Sequence, residues 1–365
     1  MLALLAALAV QPVAVVPRPV PPTTIVAQGW PVRGGSVILK DFRFRSGQVL
    51  PELRMHYSTL GSPRRNAAGQ IDNAVMILHG TGGSGAQQFL RPQFADELYG
   101  PGQPLDIRRY FIILPDNIGH GKSSKPSDGL RMKFPQYDYD DMVEAQRRML
   151  VEGLGITQLR LIMGTSMGCM HAFVWGETHP DFARALMPLA CQPVEIAGLN
   201  RMWRQLLIDG IKADPAWING DYRAQPAQGL RTAQSILTIV GGAPLYLQQT
   251  YPTREKATAF VQSTLPTAIA GLDANDMIYQ FESSRNYNPW PLLERIKAPV
   301  MWVNSADDFI NPRNFKFPGE AVRRMPNARF RMIAETPETR GHGTHTWAKF
   351  WKADLIELLK RSEPE

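Results

Sequence analysis

Residues Leu161–Gly176 read "LIMGTSMGCMHAFVWG". Apolar, strand-forming residues lead into Ser166, and helix-forming residues follow it from Met167 to about Glu177. Gly164 and Gly168 flank the serine in G-x-S-x-G spacing. A strand that turns abruptly into a helix forces strained dihedrals on the residue at the turn. Glycine on each side lets the neighbouring backbone pass without a Cβ clash. The serine hydroxyl then projects above the sheet, over a helix N-terminus. The pattern by itself is common. Its placement between a strand and a helix favours a nucleophile over an ordinary helix N-cap at Ser166.

A serine nucleophile needs a base and an acid, and for this turn the expected chain order is serine, acid, histidine. Four histidines follow Ser166: His171, His179, His342 and His345. His171 is too close along the same helix to swing over the serine, and His179 lies at that helix's far end. His342 stands in "ETRGHGTHTW", a glycine-flanked loop after the last expected strand, with His345 as its local rival. The acid belongs after the preceding strand, where "VMWVNSADDFINP" offers Asp307 and Asp308. Local chemistry does not choose between them. An oxyanion needs two backbone N–H donors. One is expected from Met167, directly after the nucleophile, and one from the glycine-rich loop "HGTGGSG", at Thr81. That loop has no Gly-Lys-Ser/Thr ending, which argues against a phosphate loop.

The rest of the chain reads as alternating strands and helices. Ser36–Gly61 reads as a hairpin followed by another strand. Further strands are expected at Ala74–Leu78, Tyr110–Leu114, Ala183–Ala190, Pro299–Asn304 and Ala328–Ala334. A helix is expected over "YDDMVEAQRRMLVEGLG", and a last amphipathic one over "HTWAKFWKADLIELLKR". This alternation predicts a mostly parallel sheet covered on both faces. Between Cys191 and about Pro291 the rhythm breaks into helices and loops, which reads as a lid over the carboxyl edge of the sheet. The expected division is a signal-like or disordered segment at 1–28, a first core part at 29–191, a helical lid at 192–291 and a second core part at 292–365.

The chain has 365 residues, 44% of them hydrophobic and 20% charged, which fits a globular fold with a large core. Its net charge of +7 is spread without long Lys/Arg blocks, so no nucleic-acid partner is expected. The two cysteines, Cys169 and Cys191, form no metal spacing; a single bridge is one reading, and two separate buried thiols is the expected one. "MLALLAALAVQPVAVV" at Met1–Val16 resembles the apolar part of a signal peptide, with candidate cleavage neighbourhoods at Ala14 and Ala27. If it is one, the protein is periplasmic or secreted, and otherwise cytoplasmic. The run is too short and too broken by Pro12 to span a bilayer.

With these pieces assembled, the chain resembles the α/β-hydrolase superfamily, and within it the homoserine O-acetyltransferase family and its hydrolase-like relatives. The resemblance runs from about Gly35 to the C-terminus. It is carried by "LRMHYSTLGSP", "NAVMILHGTGG", "FPQYDYDDMVEAQRRMLVEGLGI", "GTSMGCMHAFVWGETHP", "LDANDMIY", "SADDFINP" and "RGHGTHT". It implies an α/β-hydrolase core with a mainly helical lid, a nucleophile at Ser166 and a catalytic histidine at His342. The family's acid, an aspartate four residues before a proline, falls on Asp308, and the oxyanion donors fall on Thr81 and Met167. Two positions depart from the acetyltransferases. Gly343 stands where they usually carry an aspartate, and "HGTGG" replaces their His-Ala-Leu-Thr-Gly loop.

The sequence therefore predicts a serine hydrolase that cleaves a carboxylic ester or related acyl compound through an acyl-serine, without metal or cofactor. An acyl-CoA-dependent O-acyltransferase is the first alternative, with lid residues such as Arg201 or Arg204 shaping the acceptor site. A non-catalytic binding protein is the second. The expected partner is a small acyl compound, and a homodimer is among the expected assemblies. Trp203, Trp217, Tyr222, Tyr246 and Trp290 are candidate pocket residues, although core packing accounts for aromatic residues equally well.

Overall fold

A strand covered on both faces needs apolar side chains at every position. The runs Ala74–Leu78 and Phe111–Pro115 meet that condition, Leu161–Thr165 meets it up to its last two residues, Gly164 and Thr165, and all three are buried throughout. In the computed structural model, which describes residues 24–27 and 29–363, they form the middle of one sheet. Its strands are β1 (Thr24–Ala27), β2 (Trp30–Arg43), β3 (Val49–Leu60), β4 (Ala74–Leu78), β5 (Phe111–Pro115), β6 (Leu161–Thr165), β7 (Leu186–Leu189), β8 (Val300–Ser305) and β9 (Ala328–Ile333). Their spatial order is β1-β2-β3-β5-β4-β6-β7-β8-β9. The β1–β2, β2–β3 and β3–β5 pairs are antiparallel, and every pair from β5 to β9 is parallel.

The helices are α1 (Gly85–Phe89), α2 (Pro92–Leu98), α3 (Tyr139–Arg148), α4 (Met167–Thr178), α5 (Gly198–Lys212), α6 (Ala227–Val240), α7 (Pro244–Thr250), α8 (Arg254–Ile269), α9 (Ala274–Glu282), α10 (Phe317–Arg324) and α11 (Lys352–Arg361). Strand side chains alternate between the two sheet faces. Met76, Leu78, Ile113 and Ile162 pack with Met142 of α3, Phe173 of α4 and Ala321 of α10. Val75, Ile77, Ile112 and Met163 pack on the other face with Phe94 of α2 and Leu355 of α11. The insertion α5–α9 has a small core of its own, built on Leu207, Ile211, Leu230 and Ile278.

Three local expectations are corrected. Ser36–Gly61 does not hold a third strand. β2 and β3 are long and stay in register from Arg43↔Val49 to Arg33↔Thr59, with Gly47 at φ 86° in the single turn. The last helix begins at Lys352, because Gly341–Thr346 and Ala348–Phe350 form short 3-10 turns that carry His342. Residues 24–27 were expected outside the fold but form β1 against β2. The signal-like run at Met1–Val16 lies outside the described residues.

The two cysteines are also corrected. Cys169 on α4 and Cys191, just after β7, are joined in a disulfide with Cα atoms 5.8 Å apart. β6 and β7 are adjacent parallel strands. The first turn of the helix leaving one therefore lies beside the end of the other.

Candidate active site

β4 lies between β5 and β6, so the chain leaves β4 toward one side and returns on the other. Open α/β sheets bind ligands at such a reversal, beyond the carboxyl ends of the strands. The loop after β4 and the turn after β6 both end there. Ser166 occupies that turn at φ 53° and ψ −109°, a strained setting for a residue with a Cβ. The flanking glycines are sterically required. A Cβ on Gly164 would sit 1.9 Å from the Gly168 carbonyl oxygen, and one on Gly168 would sit 2.1 Å from the Leu78 carbonyl oxygen.

His342 Nε2 lies 2.8 Å from Ser166 Oγ, and His342 Nδ1 lies 2.9 Å from Asp308 Oδ2. Asp308 is buried and well supplied with donors. Its Oδ1 accepts from the Ile310 amide at 2.8 Å, and its Oδ2 accepts from Asn311 Nδ2 at 2.8 Å. Burial alone would raise its pKa. The charge and hydrogen bond of His342, with the Asn311 and Ile310 bonds, outweigh burial and hold the carboxyl below its ordinary value. Asp307 does different work. Its Oδ2 accepts from the Gly341 amide at 2.9 Å and from Thr339 Oγ1 at 2.8 Å, so it fastens the loop that carries His342. His345 donates from Nδ1 to the His342 carbonyl, and burial followed by the charge of His342 pulls its pKa down to about 3. His345 thus stays neutral, with its Nδ1 committed to the His342 backbone.

The loop after β4 is held from behind. His79 Nδ1 donates to the Gly80 carbonyl at 2.8 Å, while its Nε2 accepts from the Asn117 amide at 3.0 Å. Burial keeps His79 neutral, so these two bonds fix its tautomer. Gly80 N donates to Gln88 Oε1 at 2.7 Å. With its carbonyl turned toward His79, the Gly80–Thr81 peptide directs the Thr81 N–H to the opposite side. Met167 N is the first amide of α4 and has no intrahelical acceptor. Among the described residues, neither amide is bonded to protein.

Above Ser166 lies a cavity of about 740 Å³, bounded by the β4 and β7 loops, the His342 loop and the lid helices α5, α6 and α9. Its wall is apolar except for a few polar groups. Arg204 of α5 is buried on this wall with neutral partners only. Its Nε donates to Asn200 Oδ1 at 2.9 Å, its Nη1 to Ser284 Oγ at 3.2 Å, and its guanidinium lies 4.7 Å from the Trp203 ring centre. Gln192 is also buried on the wall with both side-chain polar atoms unpartnered, and so is the Trp203 indole nitrogen.

Residues 73–335 match the family profile described as the alpha/beta hydrolase fold. A homoserine O-acetyltransferase from Solidesulfovibrio magneticus is 32% identical over 305 residues, covering 79% of this chain and 73% of that protein. The chain belongs to the α/β-hydrolase fold family.

Within that family it groups with homoserine O-acetyltransferase-like proteins. A probable acyltransferase from Methanothermobacter thermautotrophicus is 30% identical over 72% of this chain and 79% of that protein. A crystal structure of homoserine O-acetyltransferase from Bacillus anthracis superposes with a TM-score of 0.79 at 22% identity, over 90% of this chain and 98% of that one. The chain is thus an α/β-hydrolase-fold enzyme of the acyl-enzyme type. Among its described residues, no helix is long and apolar enough to cross a membrane.

The α/β-hydrolase architecture brings Ser166, Asp308, His342, Thr81 and Met167 to one sheet edge. Of the five aromatic residues expected to line the pocket, Trp203 does so. Trp217 and Tyr222 pack inside the lid, where Trp217 Nε1 donates to Asn275 Oδ1 at 3.0 Å and Tyr222 accepts from the Asn275 amide at 3.2 Å. Tyr246 lies under the Arg340 guanidinium at 3.7 Å, and Trp290 packs against Arg324 and Phe317. Bulky aromatics went where burial was available, in the lid core and at the edges of the sheet cores. Sequence reasoning missed His79, Gln88, Asn311 and Gln192, whose polar side chains acquire their meaning only from partners far along the chain.

Proposed function

We propose that the protein is an O-acyltransferase that passes an acyl group through Ser166 to the hydroxyl of a small, carboxylate-bearing acceptor. In the first half-reaction His342 takes the Ser166 proton as Oγ attacks the donor carbonyl. The tetrahedral oxyanion rests on the Thr81 and Met167 amides. The donor's C–O or C–S bond then breaks, and His342 returns the proton to the leaving group. In the second half-reaction His342 removes the acceptor's proton, the acceptor oxygen attacks the acyl carbonyl, and the bond to Ser166 Oγ breaks. Asp308 stays ionised and stabilises the imidazolium in both halves.

The observation that carries this reading is Arg204. A buried guanidinium that lines a cavity and has only neutral hydrogen-bond partners is an incomplete ion pair, and a carboxylate completes it with charge-assisted hydrogen bonds. Gln192 and the Trp203 indole add unfilled polar groups to the same wall. The relatives named as acyltransferases support the same choice. Glu195, the acid among the cavity-lining residues, is the group available to an acceptor ammonium. Gly343 favours a second reading, hydrolysis with water as acceptor, because it lacks the carboxylate that homoserine-specific relatives place beside the histidine.

The test supplies an acyl donor, acetyl-CoA or p-nitrophenyl acetate, with homoserine and other hydroxy acids, and measures acylated acceptor against free acid. Acylated product should exceed free acid for at least one acceptor. Arg204→Gln should raise that acceptor's KM on the order of 10²-fold, the cost of removing a buried charged partner. Free acid as the only product with every acceptor establishes the hydrolytic reading instead.

A further inference from the structure

The cavity above Ser166 is far larger than an acetyl group requires. Its volume of about 740 Å³ lies in the upper part of the roughly 300–1,000 Å³ range of sites that enclose drug-sized ligands. The polar wall at Arg204 and Gln192 accounts for only part of it. Much of the rest is hydrocarbon, with Met170 one turn along α4 from Ser166 and with Leu237, Val240, Phe281 and Ile310 beyond. None of these side chains has a role in the acyl-transfer chemistry.

The mouth of the cavity is a second, independent observation. Leu199, Phe309, Phe315 and Phe317 line it while remaining 52%, 42%, 43% and 37% exposed. Clustered large apolar side chains left in water at the entrance of a pocket mark a surface that meets an apolar ligand.

We propose that the acyl group handled at Ser166 is a medium-length alkyl chain of roughly six to ten carbons, laid along this wall and rim. The proposal rests on the acyl-serine reading and adds the identity of the acyl group. The chain leaves its donor as the bond to Ser166 Oγ forms, with the proton passing through His342 as above. The wall then acts by burying methylenes. Each buried methylene favours the bound state by roughly threefold to fourfold.

The test uses the full-length protein with p-nitrophenyl acetate, butanoate, octanoate and dodecanoate. Active sites are first counted by fluorophosphonate titration. A burst of p-nitrophenol equal to the titrated sites reports the acyl-serine. No fluorophosphonate-titratable site, with no p-nitrophenol released from any ester, defeats the acyl-serine reading itself. Given titratable sites, kcat/KM should climb by about 100-fold or more from acetate to octanoate and level off by dodecanoate. Equal or falling kcat/KM from acetate onward overturns the chain-length proposal and leaves the acyl-serine intact. Leu237→Trp narrows the cavity and should lower the octanoate-to-acetate ratio about tenfold or more. A thermal melt confirms that the variant is folded. An unchanged ratio in the folded variant places the chain off this wall and overturns the assignment.

Discussion

His342 Nε2 lies 2.8 Å from Ser166 Oγ although 176 residues separate the two along the chain. The sheet closes that gap. β6 delivers the serine at its carboxyl end, and β8 and β9 deliver the acid and histidine loops to the same edge. Each of the three residues sits in a segment held by a partner outside the group. Ser166 N donates to the Leu189 carbonyl at 2.8 Å, Asp308 is held by Asn311, and the His342 loop is tied to Asp307.

The adjacent aspartates have separable roles. Asp308→Asn removes the carboxylate bonded to His342 and, on the proposed mechanism, should cut kcat on the order of 10⁴-fold. Asp307→Asn keeps one oxygen for the Gly341 amide and should cost about tenfold or less. Steady-state kinetics on both variants checks this, and the reverse ranking would assign the acid to Asp307.

The Cys169–Cys191 disulfide closes a loop of 22 residues between the nucleophile helix and the end of β7. Cross-linking a loop of that size stabilises the fold by about 3 kcal/mol through the unfolded chain. Replacing both cysteines with serine should therefore lower Tm by a few degrees, the modest change expected for a chain this long. Unmodified protein should give no free thiol by Ellman assay under denaturing conditions. Two free thiols, or an unchanged Tm in the double variant, would count against the bridge.

How much of this was readable in advance depended on the range of the interaction. The strand–Ser166–helix pattern is local, so steric rules for a tight turn were enough to pick out the residue. The inner parallel strands were legible because full burial demands nearly continuous apolar runs, as in β4 and β5. The choice between Asp307 and Asp308 was not legible from local chemistry. It depends on which carboxylate faces His342 and which faces Gly341, and both partners lie more than thirty residues away. The same holds for the disulfide, which follows from β6 lying beside β7. The five aromatics failed as pocket markers because a large ring gains equally from any buried site, and only Trp203 found that site on the cavity.

Glu177, on α4 away from the serine, gives a pH signature. It is buried, one carboxylate oxygen has no partner, and burial followed by the nearby Asp140 charge pushes its pKa up to about 8. Its ordinary value is 4.5. Between these values the unfolded chain has released the proton and the folded chain has kept it, so stability falls as pH rises from 4.5 to about 8. Glu177→Gln should match the wild type near pH 4.5 and exceed it above pH 8 by on the order of 1–2 kcal/mol. Melting curves across that range provide the check. A difference between the two proteins that does not vary with pH would contradict the assignment.

The most direct test of the account is where an acyl group or its mimic attaches. Intact-mass analysis after fluorophosphonate treatment, followed by peptide mapping, should find one adduct per chain on Ser166. It should find none in Ser166→Ala, whose turnover should fall on the order of 10⁶-fold. Normal labelling of the Ser166→Ala protein, or an adduct mapped to any other residue, would contradict it.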